Sequence, residues 1–225
     1  RYVIYPYLET DLSGNSNTAT YVGSIMSPIK VGNVWALSLD GTGDYLTIAD
    51  TDTLSFGDSS NDSAFSIGAW VYINPFGNDQ CIISKYSTET GSEAREWKFN
   101  ITSAEKLYLI LYDEWSDAMI YKTQDAALED GWHFVCATYS GSAAHTGITF
   151  YVDGASVAAT GGSSGSYTAM ENLAQPVIVS GYKHTTAAII HYWQTYLGPI
   201  FVEASELSAA TIRKLYYLGR GYIGV

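Results

Sequence analysis

Apolar and polar residues along this chain alternate mainly with a period of two, the spacing of strands, and only once at the spacing of a helix. The run Leu107–Tyr112 (LYLILY) puts Leu107, Leu109 and Leu111 on one face and Tyr108, Ile110 and Tyr112 on the other. Phe65–Ile73 (FSIGAWVYI) is almost wholly apolar, as expected of a strand buried on both faces. The same reading predicts strands at Ala36–Leu39, Tyr45–Ile48, Cys81–Tyr86, Glu96–Ile101, Ala118–Lys122, Trp132–Tyr139, Ile148–Val152, Val177–Gly181 and Tyr196–Val202. Asp40-Gly41, Asp130-Gly131 and Asp153-Gly154 supply the positive φ of tight turns between them. Many strands separated by turns imply an antiparallel sandwich or barrel. One helix is predicted, in ELSAATIRKLYYLGRG. Ser208 caps it, Leu207 and Ile212 form a hydrophobic staple, and Gly219 stops it. Its Ile212, Leu215 and Tyr216 face is expected to dock on the sandwich. Thr160–Tyr167 (TGGSSGSY) reads as a flexible loop, too short to separate domains.

Length and composition narrow this picture. The 225 residues suit one all-β domain, 1–225, with a core large enough to need no staples. Charged residues are only 15% of the chain, while Tyr reaches 19 and Gly 21. That composition favours pleated sheet and excludes disorder. No apolar run approaches a membrane span. The net charge is −12, with no Lys or Arg between Val31 and Ser84 but Asp40, Asp44, Asp50, Asp52, Asp58, Asp62 and Asp79. A nucleic-acid binder needs a basic stripe to displace counterions, so nucleic acid is excluded as a partner, and anionic membrane is a poor one. Cys81 and Cys136 both sit in apolar strand-like runs, as two buried thiols or as one bridge between facing strands. The chain opens on Arg1, as a mature or excised piece of a longer protein would.

Eight segments in order then point to a family. They are TDLSGNSNTAT, ALSLDGTGDYLTI, SAFSIGAWVYI, IISKY, EDGWHFVCATYSGS, GITFYVDG, SYTAMEN and LGPIFVEASELSAATIRKLY. Together they resemble the laminin-G-like jelly-roll domains of the concanavalin A-like lectin/glucanase superfamily, from about Tyr5 to Tyr217. The resemblance implies an all-β, two-sheet antiparallel jelly-roll sandwich, one sheet convex and one concave, with a short helix near the C-terminus. Ligands are then expected on the concave side or the loop rim. It also implies that Trp70 and Trp132 are framework residues. The DGTGDYLTI and SYTAMEN variants look like those of phage virion and bacterial surface proteins. Such a fold hosts lectins, hydrolases, adhesion modules and spacers, so function rests on the site.

The superfamily's glucanases carry a Glu-x-Asp-x-x-Glu strand whose carboxylates act as nucleophile and general acid. That pattern is absent here; the nearest acidic cluster is Asp113, Glu114 and Asp117. The reading is therefore no enzyme. Gly161–Gly165 matches G-x-S-x-G around Ser163 without a strand–turn–helix, and Gly219–Gly224 matches G-x-G-x-x-G with no helix to follow. His133, His145, His184 and His191 lack metal-ligand spacing, and His133 reads as structural. For calcium, Asp40 and Asp44 offer two carboxylates across a glycine turn, with Asp58, Asn61 and Asp62 nearby. Many relatives bind a structural or ligand-bridging Ca²⁺. Asn61 and Asn100 lie in glycosylation sequons, relevant only to a eukaryotic secretory source.

A pyranose presents an apolar C–H face and a polar rim, so its sites combine exposed aromatics with polar acceptors. Candidates for that role are Trp97, Tyr112, Trp115, Tyr182, His184 and Trp193, with Tyr108, Tyr121 and Tyr192 as further aromatics. The expectation is a non-catalytic recognition module that binds a glycan, a surface glycoconjugate or a partner surface. It would be extracellular, on a cell surface or in a virion, with other subunits of such an assembly as partners. The alternatives are a virion, fibre or surface-layer module assembling through protein contacts, and a divergent glycosidase.

Overall fold

The computed structural model describes residues 2–4, 11, 14–24, 28–31, 34–185 and 188–223. In chain order the first strands are β1 (Tyr2–Ile4), β2 (Ala19–Val22), β3 (Pro28–Val31), β4 (Val34–Ser38), β5 (Tyr45–Ile48) and β6 (Phe65–Ile73). Next come β7 (Gln80–Ser87), β8 (Ala94–Ile101), β9 (Leu107–Asp113), β10 (Ala118–Gln124), β11 (Gly131–Tyr139) and β12 (Ile148–Val152). The last are β13 (Ala155–Val157), β14 (Ala159–Ser164), β15 (Val177–Val179), β16 (Tyr182–Lys183), β17 (Ile189–Ile190) and β18 (Tyr196–Glu203), before helix α1 (Ala209–Ile223). One sheet runs β13-β12-β11-β6-β18-β4-β3, with β1 beside β18. The other runs β14-β10-β9-β8-β7-β15-β5-β2, and the β16–β17 hairpin joins it at β7. This is the expected two-sheet jelly-roll sandwich. The early TDLSGNSNTAT segment and Gly224 lie partly or wholly outside the described residues.

Alternation decides which side chains fill the space between the sheets. Leu107, Leu109 and Leu111 are fully buried there, with Phe65, Ile67, Ala69, Val71 and Ile73 from β6. Tyr108, Ile110 and Tyr112 turn to the outer face of the larger sheet. Two irregularities interrupt the period in the β7–β8 pair. Cys81 pairs with Asn100 and Ile83 with Phe99, so Ile82 is an extra residue and both isoleucines enter the core. Lys85 pairs with Trp97 and Tyr86 with Arg95, so Glu96 is likewise extra and is buried beside Trp97. The inward Lys85 ammonium then meets Glu96 Oε1 at 2.6 Å, Ser55 Oγ at 2.6 Å, the Leu173 carbonyl at 2.7 Å and Asp50 Oδ1 at 3.0 Å.

Helix α1 covers the outer face of the smaller sheet. Ile212, Leu215 and Tyr216 pack on Trp70, Phe134, Cys136, Tyr151 and Phe201, with Leu207 beside them. Ser208 Oγ accepts the Thr211 N–H, confirming the cap. The stop expected at Gly219 is corrected: α1 continues to Ile223. Gly219 is needed for close approach, because a Cβ there would fall inside the Trp70 indole. The loop expected at Thr160–Tyr167 is corrected too. Its first half is edge strand β14, paired with β10 from Ala159 to Ser164. A Cβ on Gly161 would lie 2.6 Å from His145 Nδ1, so glycine there reflects contact with a neighbour and not looseness. Cys81 and Cys136 are free and buried on the outer faces of opposite sheets, which excludes the bridge.

Candidate functional site

With one outer face sealed by α1, the aromatic surplus concentrates on the other. Along the larger sheet Tyr86, Ile110, Tyr112 and Tyr182 form a packed floor, flanked by Tyr108, Met119, Tyr121 and Ile190. Tyr182 meets Tyr86 edge-on at 5.6 Å between ring centroids, and Tyr86 meets Tyr112 at 6.1 Å. Two cations rise from β8 into this floor: Arg95 lies 3.8 Å over the Tyr112 ring, and the Lys98 ammonium 4.1 Å from Tyr182 and 4.9 Å from Tyr86. Burial pushes the Tyr108 and Tyr112 phenols up to about 12, so they stay neutral hydrogen-bonding groups.

Beside that floor stands the β9–β10 hairpin tip, and nearly every polar group in it is tied down. Glu171, itself buried, accepts the Glu114 and Trp115 N–H groups at 2.8 and 3.3 Å. Asp113 accepts from Ser116 and, across the chain, from Thr168 at 3.0 Å. These backbone bonds hold the Asp113 carboxyl below the usual range even though burial pulls the other way. Arg95 forks onto Glu114, at 2.7 and 2.6 Å, and reaches Asp117 at 3.1 Å and the Tyr112 hydroxyl at 2.6 Å. Tyr112 in turn donates to Asp117. Fixed by this network, Trp115 displays its indole 75% exposed, the most exposed of the large apolar side chains among the described residues.

A sequence profile of the concanavalin A-like lectin/glucanase superfamily matches residues 40–195. The chain belongs to that superfamily. No curated protein matches it in sequence. Among solved structures, the binding domain of Paraclostridial mosquitocidal protein 1 superposes with a TM-score of 0.65 at 13% identity, covering 96% of this chain and 51% of that one. The receptor-binding domain of botulinum neurotoxin D gives 0.66 at 16% identity, covering 97% and 52%. A structure of botulinum neurotoxin type C, whose cell entry depends on interaction with two ganglioside molecules, gives 0.63 at 17%, covering 93% and 48%. The chain therefore spans about half the length of these neighbours, and at such identities they share its fold.

Within this concanavalin A-like domain the predicted residues separate into three places. Tyr112 and Tyr182, expected as exposed aromatics, are instead largely buried in the aromatic floor, where the His184 ring stands 6.5 Å from Tyr182, and Trp115 occupies the tip. Trp97 and Trp193 are corrected to core. Both are fully buried; Trp97 donates to the Leu54 carbonyl at 3.0 Å, and Trp193 packs on Phe76. Neither ring has a surface to offer a ligand. Trp70 is buried under α1, as a framework residue should be, and Trp132 stacks against Tyr196. His133 is structural, its Nδ1 2.8 Å from Asp153 Oδ2.

Asp40 and Asp44 form a turn of their own. Asp40 accepts the Thr42 N–H at 2.8 Å; Asp44 is buried, and its Oδ1 has no partner. Burial, and then the charge of Asp40, raise the Asp44 pKa. Asp58 and Asp62 are used elsewhere: Asp58 accepts from Ser60 and Asn61, and Asp62 from Tyr139, Tyr167 and Met170. No group of three metal-ligating side chains occurs among the described residues. Sequence reasoning passed over Tyr86, Arg95, Lys98 and Glu171, and read Asn100 only as a glycosylation sequon. The alternation in Glu96–Ile101 carried a signal for Lys98 and Asn100, polar on the face opposite Trp97, Phe99 and Ile101.

Proposed function

We propose that this domain is a non-catalytic recognition module that binds glycan at the hairpin tip and along the adjoining aromatic floor. The observation that carries the reading is Trp115: a wide apolar ring in water, on a backbone that Glu171, Asp113 and Arg95 hold still. A pre-fixed indole gives a pyranose C–H face a platform without an ordering cost on binding. Hydrolysis has less support. Glycosidases need one carboxyl held protonated opposite an ionised one. Here Arg95 pairs with Glu114, and the Asp113 and Asp117 pKa values are both lowered; Glu171, whose pKa burial raises, has both carboxyl oxygens taken by the Glu114 and Trp115 N–H groups and so offers no acid to a substrate. The setting is extracellular, on a cell surface or virion, and the toxin binding domains that share the fold support a binding role.

Calcium belongs to this proposal as a stiffening ion. The buried, partnerless Asp44 Oδ1 beside Asp40 would gain a partner from a divalent cation, with carbonyls or water completing its shell. A second reading, assembly through protein contacts, draws on Tyr217 and Leu218, which are 60% and 55% exposed on α1. A glycan array run with and without EDTA separates the two. Glycan binding that falls at least about tenfold in Trp115→Ala is expected; tenfold corresponds to about 1.4 kcal/mol, within the usual worth of a stacked ring. Binding to no glycan, together with self-association abolished by Tyr217→Ser, would replace the lectin reading with the assembly one.

A further inference from the structure

Three polar groups on the outer face of the larger sheet have no hydrogen-bond partner among the described residues, and they lie close together. Lys98 points outward from the middle of β8, opposite Ile110 of β9. It is only partly exposed and, among the described residues, makes neither ion pair nor hydrogen bond; its contacts are the Tyr86 and Tyr182 ring faces. Two residues along the same face, Asn100 is 2% exposed, and its Oδ1 has no hydrogen-bond partner. Cys81, the register neighbour of Asn100, donates its N–H to the His191 carbonyl at 2.8 Å, which brings His191 to the same place. There the His191 ring lies 5.2 Å from Tyr182, and its buried Nδ1 is also unpartnered.

A cation on two ring faces, an amide oxygen and an imidazole nitrogen, all unsatisfied, make a costly arrangement unless something they are built for meets them. Burial already pulls the Lys98 pKa down, the direction an ammonium without a carboxylate takes. Asp79, the acid that acts on it from a distance, is engaged by the Ser103 N–H at 2.8 Å. Arg95, the other cation of this face, is taken up by Glu114 and Asp117. Among the described residues Lys98 is thus the positive charge of the floor that no carboxylate pairs, in a chain whose net charge of −12 would disfavour anions elsewhere.

We propose that this spot is a subsite for a carboxylate-bearing sugar: the partly exposed Lys98 leaves the ring faces to bind the carboxylate, Asn100 Oδ1, buried until then, is uncovered to accept a ring hydroxyl, and Tyr182 and Tyr86 border the sugar. The inference rests on the glycan-binding reading above and names the class of glycan. Its test is an array of uronic-acid and sialylated oligosaccharides, each printed as the free acid and as its carboxyl methyl ester, which keeps shape and removes charge. Free acids are expected to bind at least about tenfold better than their esters. Lys98→Met, close in volume, should bring the two forms level, and Asn100→Asp should weaken the acid more than the ester. Trp115→Ala should lower both alike. Thermal melts show that each variant is folded. Equal binding of acid and ester by the unaltered protein overturns this subsite and leaves glycan binding standing. Binding of neither form overturns both.

Discussion

Gly219 shows how a single residue type is fixed by its neighbour. Sequence reading took it as a helix stop, since glycine past the last apolar position usually has that role. In the structure it lies inside α1, and the Trp70 indole occupies the space a side chain would need. Gly219→Ala therefore sets two effects against each other: a helix-propensity gain of about 1 kcal/mol and an overpacking cost of roughly 1–3 kcal/mol. We expect the cost to win, lowering the urea midpoint by the equivalent of about 1 kcal/mol. A stabilised variant would mean that α1 does not seat on Trp70. Trp115 is the opposite case, a residue that stands 75% exposed. Trp115→Ala should leave stability within about 0.5 kcal/mol of the parent while weakening glycan binding at least about tenfold, measured by calorimetry on the same preparation.

At the scale of elements, the strands and their faces were largely legible and their irregularities were not. LYLILY assigned its leucines inward and its tyrosines outward correctly, because period-two alternation reports burial directly. Trp97 was legible as well: it alternates with Lys98 and shares the phase of Phe99 and Ile101, yet its size drew it into the ligand candidates. Trp193 was not legible, since it lies outside any strand and is buried by tertiary contacts with Phe76. Nor were the extra residues Ile82 and Glu96, which only the register with β8 and β7 reveals. Glu96 thereby joins Lys85 in the interior, where the ammonium binds the Asp50–Ser55 segment, β8 and Leu173 together. Lys85→Met should cost about 3–5 kcal/mol, because Glu96 is left buried without its cation. Adding Glu96→Leu should recover part of that loss in the same denaturation assay, and no recovery would show that the pair acts independently.

Across the whole molecule these buried groups set a pH profile. Burial pushes the Glu96 carboxyl up to about 7, against the pull of Lys85. The hydrogen bond to Asp153 raises the His133 pKa above its ordinary 6.5. Both are raised relative to the unfolded chain, so the folded state binds more protons. The stability they add is present below the unfolded values and lost as pH rises through the folded ones. Between pH 5 and 8 the protein should therefore lose stability, by about 1 kcal/mol or more. Urea midpoints across that window check it, and Glu96→Gln should flatten the slope. Below pH 4 the sign reverses as carboxylates held low, such as Asp113, take up protons. The two extra residues of the β7–β8 pair also govern what changes in chain length the sandwich tolerates. Removing one residue from a regular stretch of either strand would turn every side chain beyond it to the wrong face. Removing Ile82 instead restores an unbroken alternation, with Cys81 still outward and Ile83 still inward. Removing Glu96 preserves the faces too but strands Lys85. In a scan of single-residue deletions, Ile82 is thus the position in these two strands where a shortened chain should still fold.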